Sequence, residues 1–137
     1  PPVVYEDGKQ LRDYVWVGDV AAANVLSMER PEADFRAFNV GGGKAISVLE
    51  FANIALKVAD ESGKLCPLVR GDFRYGDTRH TFSDTSALRS LGWEPTLATE
   101  EVVRRYVDWV RTKADARDYY GQSERVMRDM QVVQSVG

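Results

Sequence analysis

Val48, Phe51, Ala52, Ala55, Val58 and Ala59 recur every three or four positions, which places them on one face of a helix. Ser47 and Glu50 stand at the start of that run as a capping box, so residues 47 to about 60 read as one amphipathic helix. Before it, Phe35 to Val40 reads as a strand that ends in Gly41-Gly42-Gly43. The same order occurs upstream. Leu11 to Val17 alternates in polarity and reads as a strand, and Asp19 is placed to cap a helix through about Glu29, stopped by Pro31. Strand-period and helix-period segments that alternate along a chain argue for the α/β class.

Further along, Leu65 to Val69 and Arg79 to Ser83 read as short strands. Asp84 is placed to cap a brief helix holding Leu88 and Leu91, with Gly92 at its left-handed end. The last strong helix spans about Glu100 to Lys113, with Val102, Val103, Tyr106, Val107 and Val110 as its apolar stripe. Trp93 and Trp109 sit at core-like spacings, and Cys66, beside Pro67, reads as a packing residue. Residues 1–113 therefore form the main unit. Residues 114–137 form a charged tail in which Val126, Met127, Met130 and Val133 indicate one more helix.

The 137 residues suit one domain of modest core. A net charge of −3 argues against broad nucleic-acid binding, which needs a basic surface. No apolar run approaches the roughly 20 residues of a membrane helix. One cysteine permits no internal disulfide and no zinc spacing is present, so a reducing, cytoplasmic setting is expected. The chain starts without methionine in what reads as mid-strand, and is expected to be a piece of a longer protein; ordinary trimming of the first residue is the alternative.

Chemistry has few places to sit. Arg12 lies in an apolar strand and Arg74 precedes a Gly-Asp turn. Guanidinium groups match phosphate oxygens two at a time, so two of them could hold a pyrophosphate. Asp77 could accept from a sugar hydroxyl pair. The competing reading pairs Arg12 with Asp13 or another carboxylate, and Arg74 with Asp72 or Asp77, as ordinary solvated ion pairs. Spacing leaves both open. The glycine run lacks phosphate-loop spacing and reads as a tight turn. His80 has no nucleophile beside it and reads as scaffold. Trp16 could border a ligand pocket.

Four segments, YEDGKQLRDYVWVGDVAAANVLSM, FNVGGGKAISVLEFA, RYGDTRHTFSDTSALRSLGWEP and the helix ending in VDWV, follow in an order that carries more than spacing does. From Val4 to about Arg111 the chain resembles the C-terminal part of the extended short-chain dehydrogenase/reductases that act on nucleotide sugars. These are the NAD-dependent epimerases and dehydratases. The Y-E-D-G start and the tail resemble the dTDP-rhamnose 4-epimerase-like branch.

The resemblance implies a substrate-binding α/β region of short strands and four to five helices, largely without its NAD-binding Rossmann lobe. It implies that Arg12 and Arg74 reach the diphosphate of a nucleoside-diphosphate sugar, that Asp77 contacts the ribose and that Asn39 touches substrate. A side chain that ties down the glycine turn is the alternative for Asn39. NAD is expected on the missing lobe, as are the parent's homodimer contacts and the Tyr-x-x-x-Lys pair that handles protons. No catalytic residue is therefore expected here, and the piece alone is not expected to be active. An unpaired sheet edge is expected to favour self-association. The implied parent reaction is redox epimerisation at sugar C4; the alternatives are a 4,6-dehydratase parent and a stand-alone, non-catalytic binding domain.

Overall fold

A computed structural model describes residues 1–60 and 62–135. In chain order the elements are β1 (Val3–Val4), β2 (Leu11–Asp13), α1 (Val17–Glu29), a 3-10 turn (Pro31–Ala33), β3 (Ala45–Ser47), α2 (Val48–Ala59), β4 (Leu68–Val69), β5 (Phe73–Arg74), α3 (Ser86–Arg89), α4 (Thr99–Arg111), α5 (Tyr120–Asp129) and β6 (Val133–Gln134). The α/β class and the helix number agree with expectation.

The strands form three separate pairs: β1 with β4 parallel, β2 with β3 antiparallel, and β5 with β6 antiparallel. Pairs this short need other contacts to hold them. Helix α2 starts where Ser47 Oγ accepts the Glu50 N–H at 3.0 Å, as the capping box required. Its face packs on α4, and Lys57 reaches Glu100 across the pair at 3.1 Å.

Helix α1 packs differently. Ala23 lies with Leu88 and Trp93 in a buried cluster, flanked by Leu26, Phe38 and Val40. Asp19 does not cap the helix as expected. The helix begins at Val17, and Asp19 sits buried in its first turn. There its carboxylate accepts the Thr96 hydroxyl at 2.6 Å and the Thr96 N–H at 3.0 Å, while its carbonyl accepts the Trp93 indole N–H at 2.9 Å. One residue thus ties the start of α1 to the Leu-Gly-Trp-x-Pro corner. Gly92, at φ +93°, supplies the left-handed turn into that corner.

Several strand expectations are corrected. Phe35 to Val40 forms no strand: Phe35 has φ 58° and a fully exposed side chain, and no described segment pairs with the stretch. The Leu11–Val17 strand stops at Asp13, whose carboxylate is turned to the backbone of Gly42 and Ser83. Leu65 to Val69 contributes only Leu68–Val69, because Asp60 holds the Leu65 N–H in a turn at 2.8 Å. Arg79 to Ser83 contributes one bridge, His80 to Leu11. Cys66 and Trp109 are exposed, so neither is the core residue expected.

Candidate functional site

The two arginine motifs meet although they are 62 positions apart in sequence, because β2 lies against the segment that follows the R-x-G-D turn. The Leu11 N–H donates to His80 Nδ1 at 3.3 Å, and the Thr81 N–H to the Leu11 carbonyl at 3.0 Å. Arg12 then spends its guanidinium on carbonyls. Nη1 donates to Leu11 at 2.8 Å and Arg79 at 3.2 Å, and Nη2 donates to Thr78 at 2.8 Å. The competing reading, an Arg12–carboxylate pair, is not what this geometry shows; Arg12 fastens the turn through its backbone.

Arg74 is paired with Asp77. Nε donates at 2.9 Å and Nη2 lies at 2.7 Å, both on Oδ2. Its guanidinium also lies 5.2 Å from the centre of the Tyr5 ring. Gly76, at φ +88°, makes the turn that brings Asp77 back onto Arg74. Arg74 and Asp77 open onto a shallow depression of about 680 Å³, lined also by Glu6, Asp7, Phe73 and Arg79.

Arg79 lines the same depression, and sequence reasoning missed it. It donates Nη1 and Nη2 to the two carboxylate oxygens of Asp7, at 2.7 and 2.8 Å, and Nη1 to Glu6 at 2.6 Å. These bonds hold the Asp7 carboxyl well below the usual carboxylate range, with the Lys9 N–H helping. Partners more than 70 positions apart leave no local signal. Asp13 was missed too, except as a rival partner for Arg12. Its Oδ1 accepts the Gly42 N–H at 2.7 Å and its Oδ2 the Ser83 N–H at 3.4 Å.

Arg12 is not among the residues that line this depression, and the other expected residues lie apart from it too. Asn39 donates to the Asp84 carbonyl at 3.3 Å, beside the glycine run. His80 serves as the acceptor for Leu11, a scaffold role. The glycine run is packed against its own chain: a side chain at Gly41 would meet the Asp13 carboxylate, and one at Gly42 the Tyr14 carbonyl. The glycine run therefore leaves no room for a dinucleotide's phosphates and does not fit NAD.

A second, more apolar groove of about 730 Å³ runs between α2 and α4. Trp16 borders it, as do Tyr106 and Trp109, and Tyr14 stacks on Phe51 at 4.0 Å within it. Arg105 covers the Trp16 ring at 5.4 Å.

A family profile described as GDP-mannose 4,6 dehydratase matches residues 1–106. A dTDP-L-rhamnose 4-epimerase of Burkholderia thailandensis is 36% identical over 116 residues, which is 84% of this chain and 31% of that protein. A UDP-glucose 4-epimerase of Thermotoga maritima, solved with UDP-glucose, superposes with TM-score 0.72 at 31% identity, covering 81% of this chain and 35% of that one. The UDP-glucose 4-epimerase of Stenotrophomonas maltophila, with bound NAD and formylated UDP-arabinopyranose, superposes with TM-score 0.70 at 28% identity, again over 81% and 35%. The chain spans about a third of the length of the relatives it matches. No helix among the described residues is long and apolar enough to cross a membrane.

Proposed function

This chain belongs to the GDP-mannose 4,6 dehydratase family of nucleotide-sugar epimerases and dehydratases, and from that premise we propose that it is the part that holds the substrate's nucleoside diphosphate. The observation that carries this reading is the seam between Arg12 and the turn after Arg74: Arg12 bonds the carbonyls of Thr78 and Arg79, next to an open depression that Arg74, Asp77 and Arg79 line. The relatives solved with UDP-glucose and with formylated UDP-arabinopyranose support a nucleoside-diphosphate sugar as the ligand.

Arg74 is the main anion ligand. Its present partner is internal and solvated, and such a pair is worth about 0–1 kcal/mol. A charge-assisted contact to a diphosphate oxygen is worth about 1.5–3 kcal/mol. Exchange of Asp77 for the diphosphate is therefore favourable, and the released carboxylate is free to accept from a ribose hydroxyl. Arg12 keeps the turn in place and has Nε–H and one Nη2–H beyond its three carbonyl bonds for the same diphosphate. Asn39 lies on the sugar side in this reading.

The parent reaction is epimerisation at sugar C4, with 4,6-dehydration second. In this reading NAD and the residues that move protons and hydride belong to the remainder of the relatives' length. The parent works in the cytoplasm as a homodimer joined through that remainder. Calorimetric titration of the full-length protein with UDP and dTDP tests the clamp. Arg74→Ala is expected to weaken binding about 10- to 100-fold, the loss of one charged contact. Unchanged affinity removes Arg74 from the site.

A further inference from the structure

The strand that carries Arg74 is paired, among the described residues, by the end of the chain. In the β5–β6 ladder Arg74 lies opposite Val133 and Phe73 opposite Gln134. The Tyr75 N–H donates to the Val132 carbonyl at 2.8 Å, so the pairing continues into the R-x-G-D turn. Val133 is buried, which anchors the added strand.

A polar latch lies beneath it. Asp72, two residues before Arg74, is only 8% exposed. Its Oδ2 accepts from Arg128 of α5 at 2.5 Å, and its Oδ1 from the Ser135 hydroxyl at 2.8 Å. Arg128 is held in turn by Glu124 at 2.8 Å, and Glu124 also pairs with Arg70 at 3.4 Å. On the other side the Asp72 carbonyl accepts the Glu6 N–H at 2.6 Å. Segments from both ends of the chain thus converge on the strand of one arginine. Helix α5 and β6 lie outside residues 1–106, the part that matches the family profile.

We propose that residues 120–135 are a strap that positions Arg74, with Arg128 as a positioning residue that acts on it through Asp72. This rests on the reading of Arg74 as a diphosphate ligand. A two-residue strand without its neighbour has no ladder to fix its direction, so the guanidinium loses its aim before the fold loses its core. The latch side chains touch the strand's backbone anchor and need not touch the ligand.

The test is a thermodynamic cycle with UDP on the full-length protein, read with amide exchange at Arg74 and Tyr75. Arg128→Met is expected to weaken UDP binding about 5-fold in the native background and not at all in Arg74→Ala, because contacting or linked residues couple. Arg128→Lys should recover part of the loss. The amides of Arg74 and Tyr75 should exchange faster in Arg128→Met while those of α2 and α4 stay protected. Ser135→Ala, a milder break of the same latch, should move binding and exchange in the same direction, and it keeps the test usable if Arg128→Met does not fold. Equal weakening in both backgrounds, or unchanged exchange at Arg74 and Tyr75, overturns the strap. If Arg74→Ala itself leaves UDP affinity unchanged, the ligand reading fails instead.

Discussion

Asp19→Ala is expected to cost the fold about 3 kcal/mol. The Asp19 carboxylate is 3% exposed and accepts two hydrogen bonds from Thr96, one from the hydroxyl and one from the backbone. Hydrogen bonds to a charged group are worth about 1.5–3 kcal/mol each, a net figure that already includes the desolvation of the carboxylate. Thr96 itself is exposed, so in the alanine variant water takes up its N–H and hydroxyl, and each bond counts at the low end of that range. Two such bonds give the figure of about 3 kcal/mol. Asp19→Asn keeps the shape but turns an amide N–H toward one Thr96 donor, so it should lose less, about 1–2 kcal/mol. Urea unfolding of Asp19→Ala, Thr96→Val and the double variant measures the coupling. If the reasoning holds, the two changes interact by at least about 1 kcal/mol. An additive result would refute it, because the carboxylate would then not be acting through Thr96.

Two further predictions concern a pH response and a turn. The Asp7 carboxyl is held below its ordinary value of 3.8 mainly by Arg79, so its contribution is present above that value and is lost as pH falls through the lower folded value. In a carboxylate NMR titration Asp7 should still be ionised at pH 3.8 in the native chain and more protonated at the same pH in Arg79→Met, where the Lys9 N–H bond remains; identical titrations would exclude the pair. Gly92→Ala places a side chain at φ +93°, and although open space surrounds the position it should destabilise the corner by about 1–2 kcal/mol in thermal unfolding.

The helices were legible because their signals are local. Ser47 with Glu50, and the apolar spacing from Val48 to Ala59, together state a start and a face for α2. Strands were not legible to the same degree. Phe35 to Val40 has strand composition, but a strand needs a neighbour, and none lies beside it among the described residues. Asp19 looked like a cap because acceptors favour helix starts; its use by Thr96, 77 positions away, could not be seen. The site divided in the same way. Arg74 and Asp77 are three residues apart and their pairing was one of the two readings that spacing allowed. Arg79 with Asp7, and Arg128 with Asp72, are separated by 72 and 56 positions, and only the folded chain brings them together.

That division bears on what would position the proposed clamp. The strand pairs are two or three residues long, so sheet geometry alone cannot hold two arginines at a fixed spacing. Side chains bonded to distant backbone do it instead. Arg12 holds the carbonyls of Thr78 and Arg79, His80 takes the Leu11 N–H, and Asp13 takes those of Gly42 and Ser83. Each bond crosses at least 29 positions of chain. Each is also a polar group whose loss leaves a backbone donor or acceptor without its partner. A substitution at Asp13 therefore loosens the β2 strand that carries Arg12, although Asp13 itself faces the glycine run rather than the depression. In the proposed site the residues that fix the turn, Arg12 apart, are distinct from those that would touch a ligand.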